Sequence, residues 1–224
     1  GAGSDLTING TFNWSNAAAT MDVTSGAVVD GSTNFYYHGT NLINNGYINL
    51  YTVIGGSTPI TISGTGTIAT FLPFTFNAGG IIINGTQTIT DQISFNYGII
   101  HATGTSKVVI ANGASVYNGT TDKYIDGTLE YYFSSSLGLT YNIGDSNSYY
   151  PIQLTTLITS PGGVYARTTS GDHVQIGSSG INMNKTVNRT WTIGSSGATT
   201  TGYYVTLNWI PADLDSGVNT SNLI

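Results

Sequence analysis

The acidic residues that could perform acid–base chemistry are few and widely spaced along this chain. The first half contains four carboxylates, Asp5, Asp22, Asp30 and Asp91. Glycoside hydrolysis needs two carboxyl groups that face each other across the scissile bond. Asp5 precedes the first apolar run and Asp22 lies inside one, so we expect solvated or corner positions for both. The sequence therefore predicts no catalytic pair of carboxylates.

The remaining catalytic side-chain types are equally sparse. Lys107 is the first Lys or Arg of the chain and has no acidic residue near it in sequence, so a lyase base would lack a partner. His38, His101 and His173 are far apart and not at metal-ligand spacing. There is no cysteine, which excludes disulfides and thiolate chemistry, and no Gly-x-Ser-x-Gly motif. We predict no catalytic residue, no metal, no cofactor and no enzymatic activity.

One segment near the C-terminus has the spacing of a calcium loop. Asp213-Leu-Asp215-Ser-Gly217-Val-Asn219 places oxygen ligands at alternate positions around a glycine. It lacks the terminal Glu that binds calcium through both oxygens. A plain turn is the first interpretation, and calcium binding near Asp213–Asn219 stays open as the alternative.

Adjacent aromatic residues occur at Phe35–Tyr37, Tyr131–Phe133 and Tyr149–Tyr150. Because strand side chains alternate between faces, at least one of each neighbouring pair must face away from its own core. Outward tyrosines can pack against another domain or chain, which we favour, or stack on sugar rings. Arg189 and Trp191 share a strand face, and we expect the guanidinium to act as a structural pin over an aromatic ring or beside an acid.

The elements that must position these residues are short β-branched runs that return about every 20 residues, a period typical of solenoids. Asn-Gly corners such as Asn45-Gly46 and Asn84-Gly85 follow them, and both residue types tolerate the left-handed backbone of sharp bends. We predict parallel stacked coils over residues 1–117. The expected inward residues are Leu6, Ile8, Val23, Ile62, Ile83, Phe95 and Ile110.

The second half has longer, tyrosine-rich runs separated by Gly/Ser turns, which indicate antiparallel strands. Trp209 follows Val205 and Leu207 at a period of two, so we expect it to be buried on an inward face, as we also expect for Trp191. The predicted fold is all-β: a right-handed parallel β-helix at 1–117 followed by an antiparallel β-sandwich at 118–224.

Composition limits the possible partners. Only 7% of residues are charged and the formal net charge is −6, so no basic stripe is present for nucleic acid or anionic lipid. No apolar stretch approaches the ~20 residues of a membrane-spanning helix, which predicts no membrane insertion. Leu6-Thr-Ile8 is already a full coil strand with no large side chain before it, so we expect contact between this coil end and the rest of a longer chain or another copy.

The segments between residues 107 and 209 follow a distinctive order: Lys107–Val116, Lys123-Tyr-Ile-Asp-Gly-Thr128, Leu139–Asp145 with Tyr149-Tyr-Pro-Ile-Gln-Leu154, Asn188-Arg-Thr-Trp-Thr-Ile193, and Val205–Trp209. In this order they resemble a recurrent layout of large secreted and cell-surface proteins of the Bacteroidetes. In that family β-helical repeats lead into a β-sandwich. The resemblance implies an adhesin-like protein at the outer cell surface or outside the cell, exported by the type IX route.

Together these observations predict a non-catalytic extracellular module that presents a rigid β surface. Its partners would be surface glycans or other protein subunits. Two alternatives stay open: a carbohydrate-active or carbohydrate-binding solenoid, and a self-assembling fibre subunit. The sequence does not identify the ligand-binding residues.

Overall fold

The computed structural model describes residues 5–10, 12–15, 20–74, 80–145 and 148–222, and its regular structure is nearly all β, with 65% of residues in strands. Three single-turn 3-10 helices lie at Ile176–Ser178, Pro211–Asp213 and Thr220–Asn222. The strands are β1 Leu6–Ile8, β2 Phe12–Trp14, β3 Thr20–Val23, β4 Val28–Tyr37, β5 Asn41–Asn44, β6 Tyr47–Ile54, β7 Ile60–Gly64, β8 Thr67–Pro73, β9 Ile81–Ser94, β10 Ile100–Ile110, β11 Ser115–Tyr117, β12 Ile125–Phe133, β13 Leu137–Tyr141, β14 Ile143–Asp145, β15 Ser148–Tyr149, β16 Ile152–Ser160, β17 Gly162–Ser170, β18 Arg189–Ser196 and β19 Thr199–Leu207.

Parallel strands stack into a β-solenoid of about six turns with three faces. The first face contains β3, β5, β7, the starts of β9, β10 and β12, and β14. The second contains β1, the starts of β4, β6 and β8, the middle of β9, and the later parts of β10 and β12. The third contains β2, the ends of β4, β6, β8 and β9, and β11. The predicted parallel coils are confirmed, while the right-handed sense stays a prediction.

An inward ladder on the second face shows why the period of the sequence produces this fold. Val29, Ile48, Ile68, Ile89 and Ile110 are in register on successive strands and all are buried. They recur about every 20 residues, which is one coil of a solenoid. Each coil buries its apolar side chains against the coils above and below, so the core is continuous along the stack.

Six of the seven predicted inward residues are buried, and one prediction is wrong. Ile8, Val23, Ile62, Ile83, Phe95 and Ile110 are each at most 6% exposed. Leu6 is 44% exposed. It lies on β1, which pairs only with β4 among the described residues. Leu6 is the first residue of that strand, whereas Ile8 at the other end of the same strand is buried. Alternation thus gives both residues the same side but does not decide how far that side is covered.

The corner between the first and second faces depends on an amide pair and on glycine. Asn44 Nδ2 donates to Gln87 Oε1 at 2.9 Å, and both side chains are buried. Gly85 has a φ of +125°, and a Cβ there would lie 2.3 Å from the carbonyl oxygen of Gly64. Only glycine fits where one coil bends directly over the next.

Parallel stacking continues beyond residue 117. β12 pairs in parallel with β10 and then with β14, so the last coil includes residues on both sides of the expected boundary between 1–117 and 118–224. That division into domains stays a prediction. Antiparallel strands follow: β17 and β18 extend the solenoid sheet from β12, and β13, β16 and β19 form a separate sheet.

The two tryptophans of this region are less buried than the sequence predicts. Trp191 is half-buried on β18, and Trp209 is half-buried and lies beyond the end of β19. Val205 and Leu207 are 38% and 37% exposed. The predicted alternation of Val205 and Leu207 holds, and both residues face an open cleft whose other side is formed by β17 and β18. Because the cleft is open, these apolar residues keep contact with solvent.

Candidate functional site

An open groove of about 600 Å³ follows the corner between the second and third faces. We call it the corner groove. It crosses four consecutive strands of the stack, β4, β6, β8 and β9. Its lining consists of Gly31, Ser32, Thr33, Asn34, Tyr47, Asn49, Leu50, Tyr51, Ala69, Thr70, Thr90 and Asp91.

The alternation of β6 places the main side chains in this groove. Ile48 and Leu50 are buried in the core, so Tyr47, Asn49 and Tyr51 face outward. Tyr51 is 44% exposed and offers an aromatic surface to solvent. A run of alternating residues is thus enough to build one wall of a groove, because every second side chain must leave the core.

Hydrogen bonds hold the polar groups at both ends of the groove. Tyr47 Oη donates to Asn49 Oδ1 at 2.9 Å, and Asn49 Nδ2 donates to Asp30 Oδ1 at 3.2 Å. At the other end Thr70 Oγ1 donates to Asp91 Oδ2 at 2.5 Å. The amide and carboxylate groups are therefore oriented before any ligand arrives, which reduces the entropic cost of binding.

The chemistry of the groove suits a neutral, hydroxyl-rich ligand. Carboxylate and amide groups such as Asp91 and Asn49 accept or donate hydrogen bonds to hydroxyls, and the ring of Tyr51 can pack against an apolar face. The lining contains an acid but no Lys or Arg, so an anionic ligand would be repelled. Because the groove is open along the stack, it accommodates an extended chain better than a compact small molecule.

The backbones of the two acids near the groove are farther apart than the catalytic carboxyl groups of glycosidases. Asp30 lies on β4 and Asp91 on β9, three inter-strand steps apart in the sheet order. With neighbouring strands ~4.8 Å apart, their backbones are roughly 14 Å apart. Paired-carboxylate glycosidases hold their two catalytic carboxyl groups about 5 to 9.5 Å apart. Asp5 and Asp22 are exposed and lie outside the groove.

The other candidate catalytic residues are distributed over separate places. Lys107 Nζ lies 2.7 Å from Glu130 Oε2, so its acidic partner comes from the next coil rather than from nearby sequence. His101 Nδ1 lies 2.8 Å from Asp126 Oδ2, and His38 contacts the carbonyl oxygen of Gly55. Across the described ranges, no group of three His, Cys, Asp or Glu residues could hold a metal ion.

Arg189 is the structural pin that the sequence predicts. Its guanidinium carbon lies 3.3 Å from the centre of the Tyr150 ring, and it pairs with Asp145 at 2.9 Å and Asp213 at 3.0 Å. Burial alone would raise the pKa of Asp213, but hydrogen bonds from Arg189 and the Ile210 amide hold that pKa below its usual value. The pin connects β18 to two acids that are distant in sequence.

The carboxylates of the possible calcium loop at Asp213–Asn219 accept hydrogen bonds from other groups of the protein. The Asp213 carboxylate contacts Arg189, while Asp215 accepts hydrogen bonds from the Thr186 amide and Asn188 Nδ2, each at 2.9 Å. A guanidinium already neutralises the first acid, so these contacts favour the turn over calcium binding.

The adjacent aromatics divide between inside and outside, as strand alternation predicts. Phe35 and Tyr37 are buried while Tyr36 is half-buried, and Tyr132 is 46% exposed between buried Tyr131 and Phe133. None of these lines the corner groove. Sequence reasoning missed the aromatic residues of the corner groove, Tyr47 and Tyr51. The signal that could have found them is the alternation of apolar residues at 48 and 50 with polar or aromatic residues at 47, 49 and 51, which indicates that the latter face outward.

A wider depression of about 830 Å³ lies near the C-terminus and includes Trp191 and Trp209. Its charged side chains are occupied within the protein: Asp172 accepts from Thr186 Oγ1, and Lys185 Nζ donates to the carbonyl oxygen of Ser216. Unlike the corner groove, the depression does not run across successive coils of the solenoid.

No protein-family model, curated protein or solved structure matches this chain. The described residues contain no helix with the length and apolarity needed to cross a bilayer.

Proposed function

We propose that this chain is a non-catalytic extracellular adhesin module whose rigid β surface binds a neutral glycan chain along the corner groove. The observation that carries the proposal is the set of outward residues Tyr47, Asn49 and Tyr51, fixed beside Asp30 on a stack of parallel coils. A solenoid suits this role because each coil repeats the same backbone, so the groove continues straight along the stack.

Three physical features support a glycan over other ligands. The groove combines an exposed aromatic ring with oriented amide and carboxylate groups, a pairing that recognises the apolar and hydroxyl faces of a sugar. Its acidic character disfavours nucleic acid, which requires basic residues. The ~14 Å separation between the backbones of Asp30 and Asp91 supports binding without hydrolysis.

The location outside the cell and the finer fold are also proposals. The resemblance of residues 107–209 to Bacteroidetes surface proteins supports secretion to the outer cell surface by the type IX route. We propose a right-handed coil and a β-sandwich in which β12, β17 and β18 face β13, β16 and β19. The cleft lined jointly by β16, β17, β18 and β19 supports the sandwich.

A neutral-glycan array and a binding titration test the proposal. We expect the wild-type chain to bind a neutral polysaccharide, and Tyr51→Ala to bind at least about tenfold more weakly, a loss of ~1.4 kcal/mol. The matched control is Tyr132→Ala, since Tyr132 has a similar exposure of 46% and lies outside the groove. We expect its affinity to equal that of the wild type.

Two results would contradict this function. Equal affinities of Tyr51→Ala and the wild type would remove the corner groove as the binding site. Release of new sugar ends from the bound polysaccharide, reduced by Asp91→Asn, would establish a carbohydrate-active enzyme instead.

A further inference from the structure

β19 is an edge strand whose second part lacks the usual protection against pairing, since the register irregularities of its ladder with β16 are confined to the first part, near Thr199–Gly202. It contains Thr199–Leu207, with no charged residue and no proline, and among the described strands it pairs only with β16. Tyr203 and Tyr204 are 65% and 72% exposed. Natural edge strands are commonly blunted by charges, proline or bulges. From Tyr203 to Leu207 the strand pairs with β16 in unbroken register, so its outer edge is straight and open.

The strand borders an apolar cleft of about 420 Å³ between β16 and β19 on one side and β17 and β18 on the other. We call it the open cleft. Two polar atoms in residues that line it, Thr156 Oγ1 and Trp191 Nε1, are buried and have no hydrogen-bond partner in the described part of the chain. Thr156 is only 2% exposed. Neither atom reaches the surface of the cleft, whose accessible lining is mainly apolar. The cleft is therefore suited to a neighbour that brings apolar groups.

We propose that a second copy of this chain covers the open cleft by pairing its β19 with β19 of the first copy. The pairing is antiparallel about a two-fold axis perpendicular to the sheet. With such an axis, the cleft-facing sides of both β19 strands lie on one side of the joined sheet. Tyr203, Val205 and Leu207 of the two copies therefore adjoin one continuous core. A two-fold interface is also the commonest way in which identical chains associate.

The chemistry of the strand favours its own copy as the partner. Uncharged strands of alternating aromatic and β-branched residues pair well with each other, and no like charges on β19 oppose the contact despite the net charge of −6. The arrangement joins the sheets β13, β16 and β19 of both copies into one sheet. This association does not depend on glycan binding by the corner groove.

The exposed area is sufficient for such an interface. A fully covered aromatic side chain buries about 150–250 Å², so Tyr203 and Tyr204 each leave roughly 100–180 Å² available. With Val205, Leu207 and the strand backbone, two copies can together bury on the order of 1,000 Å², which is near the lower limit for specific association. We therefore expect a dimer that dissociates on dilution.

Sedimentation of the protein over a wide range of concentration tests the proposal. We expect the wild type to change from monomer to dimer as concentration rises, and Tyr203→Lys to weaken dimerisation at least tenfold because two like charges would meet across the axis. Tyr132→Lys is the control and should dimerise like the wild type. Circular dichroism and thermal unfolding must show that Tyr203→Lys is folded.

Cysteine cross-linking tests the geometry, since the chain has no cysteine of its own. Single cysteines introduced along 201–206 should form disulfide-linked dimers with a maximum at one position and a decrease on both sides. Only the residue nearest a two-fold axis meets its own copy in an antiparallel pair. A wild type that stays monomeric, an unchanged Tyr203→Lys, equal cross-linking at every position, or open-ended filaments would each overturn the proposal.

Discussion

Replacement of Arg189 by methionine should destabilise the protein through the two acids that it neutralises. The Arg189 side chain is 2% exposed, and its partners Asp145 and Asp213 are 13% and 8% exposed. Methionine retains much of the packing on Tyr150 but removes the positive charge. Loss of one member of a buried ion pair typically costs about 3–5 kcal/mol, because the remaining charge stays desolvated.

The pH dependence should distinguish this cause from simple loss of packing. In the wild type the pKa of Asp213 is held below its usual value, so this group stabilises the fold above about pH 4 and the contribution is lost as pH falls through the folded-state pKa. In Arg189→Met, burial is no longer opposed by the guanidinium and should raise the pKa of Asp213. The penalty is then greatest at neutral pH and decreases as pH falls from 7 toward 5.

Thermal unfolding at pH 7 and pH 5 measures both effects. At 2–4 °C per kcal/mol for a chain of this size, Arg189→Met should lower Tm by roughly 6–20 °C at pH 7 and by less at pH 5. Arg167→Met is the matched control, since Arg167 is exposed on the neighbouring strand β17, and should change stability by no more than about 0.5 kcal/mol. Equal stability of the two variants, or a loss that is the same at both pH values, would refute this reasoning.

Two further pairs of variants test the solenoid. Ile83→Asp should unfold the coil at a cost of several kcal/mol because Ile83 is 2% exposed, whereas Ile82→Asp should be tolerated because Ile82 is 39% exposed. Denaturant titration compares the stability of the two variants, and equal unfolding midpoints would argue against the assigned faces. Gly113→Ala should lower the free energy of unfolding by about 1–2 kcal/mol because of its positive φ alone. Gly85→Ala should lower it clearly more, because a Cβ at Gly85 meets a carbonyl oxygen at 2.3 Å while a Cβ at Gly113 meets nothing within 4 Å. A Gly85→Ala protein as stable as Gly113→Ala would show that the coils can separate there without cost.

The solenoid core could be predicted because its physical cause is local. Ile62 lies between Thr61 and Ser63, and burial of every second side chain follows from strand geometry alone. The same rule required at least one of each neighbouring pair in Tyr131–Phe133 to face outward, and the structure shows that the outward residue is Tyr132. It was not sufficient for Leu6 or Trp209, because alternation determines the side of a strand but not whether another element covers that side.

The sequence by itself determined the strands, the corners, the inward residues and the lack of charge, since these depend on residue types within a few positions of each other. Only the tertiary structure decided which distant groups meet. Arg189 contacts Asp145 across 44 residues of chain, the corner groove combines β4, β6, β8 and β9, and the outer edge of β19 pairs with no described strand. Such contacts depend on how coils and sheets stack, and stacking depends on burial summed over the whole chain rather than on any local pattern.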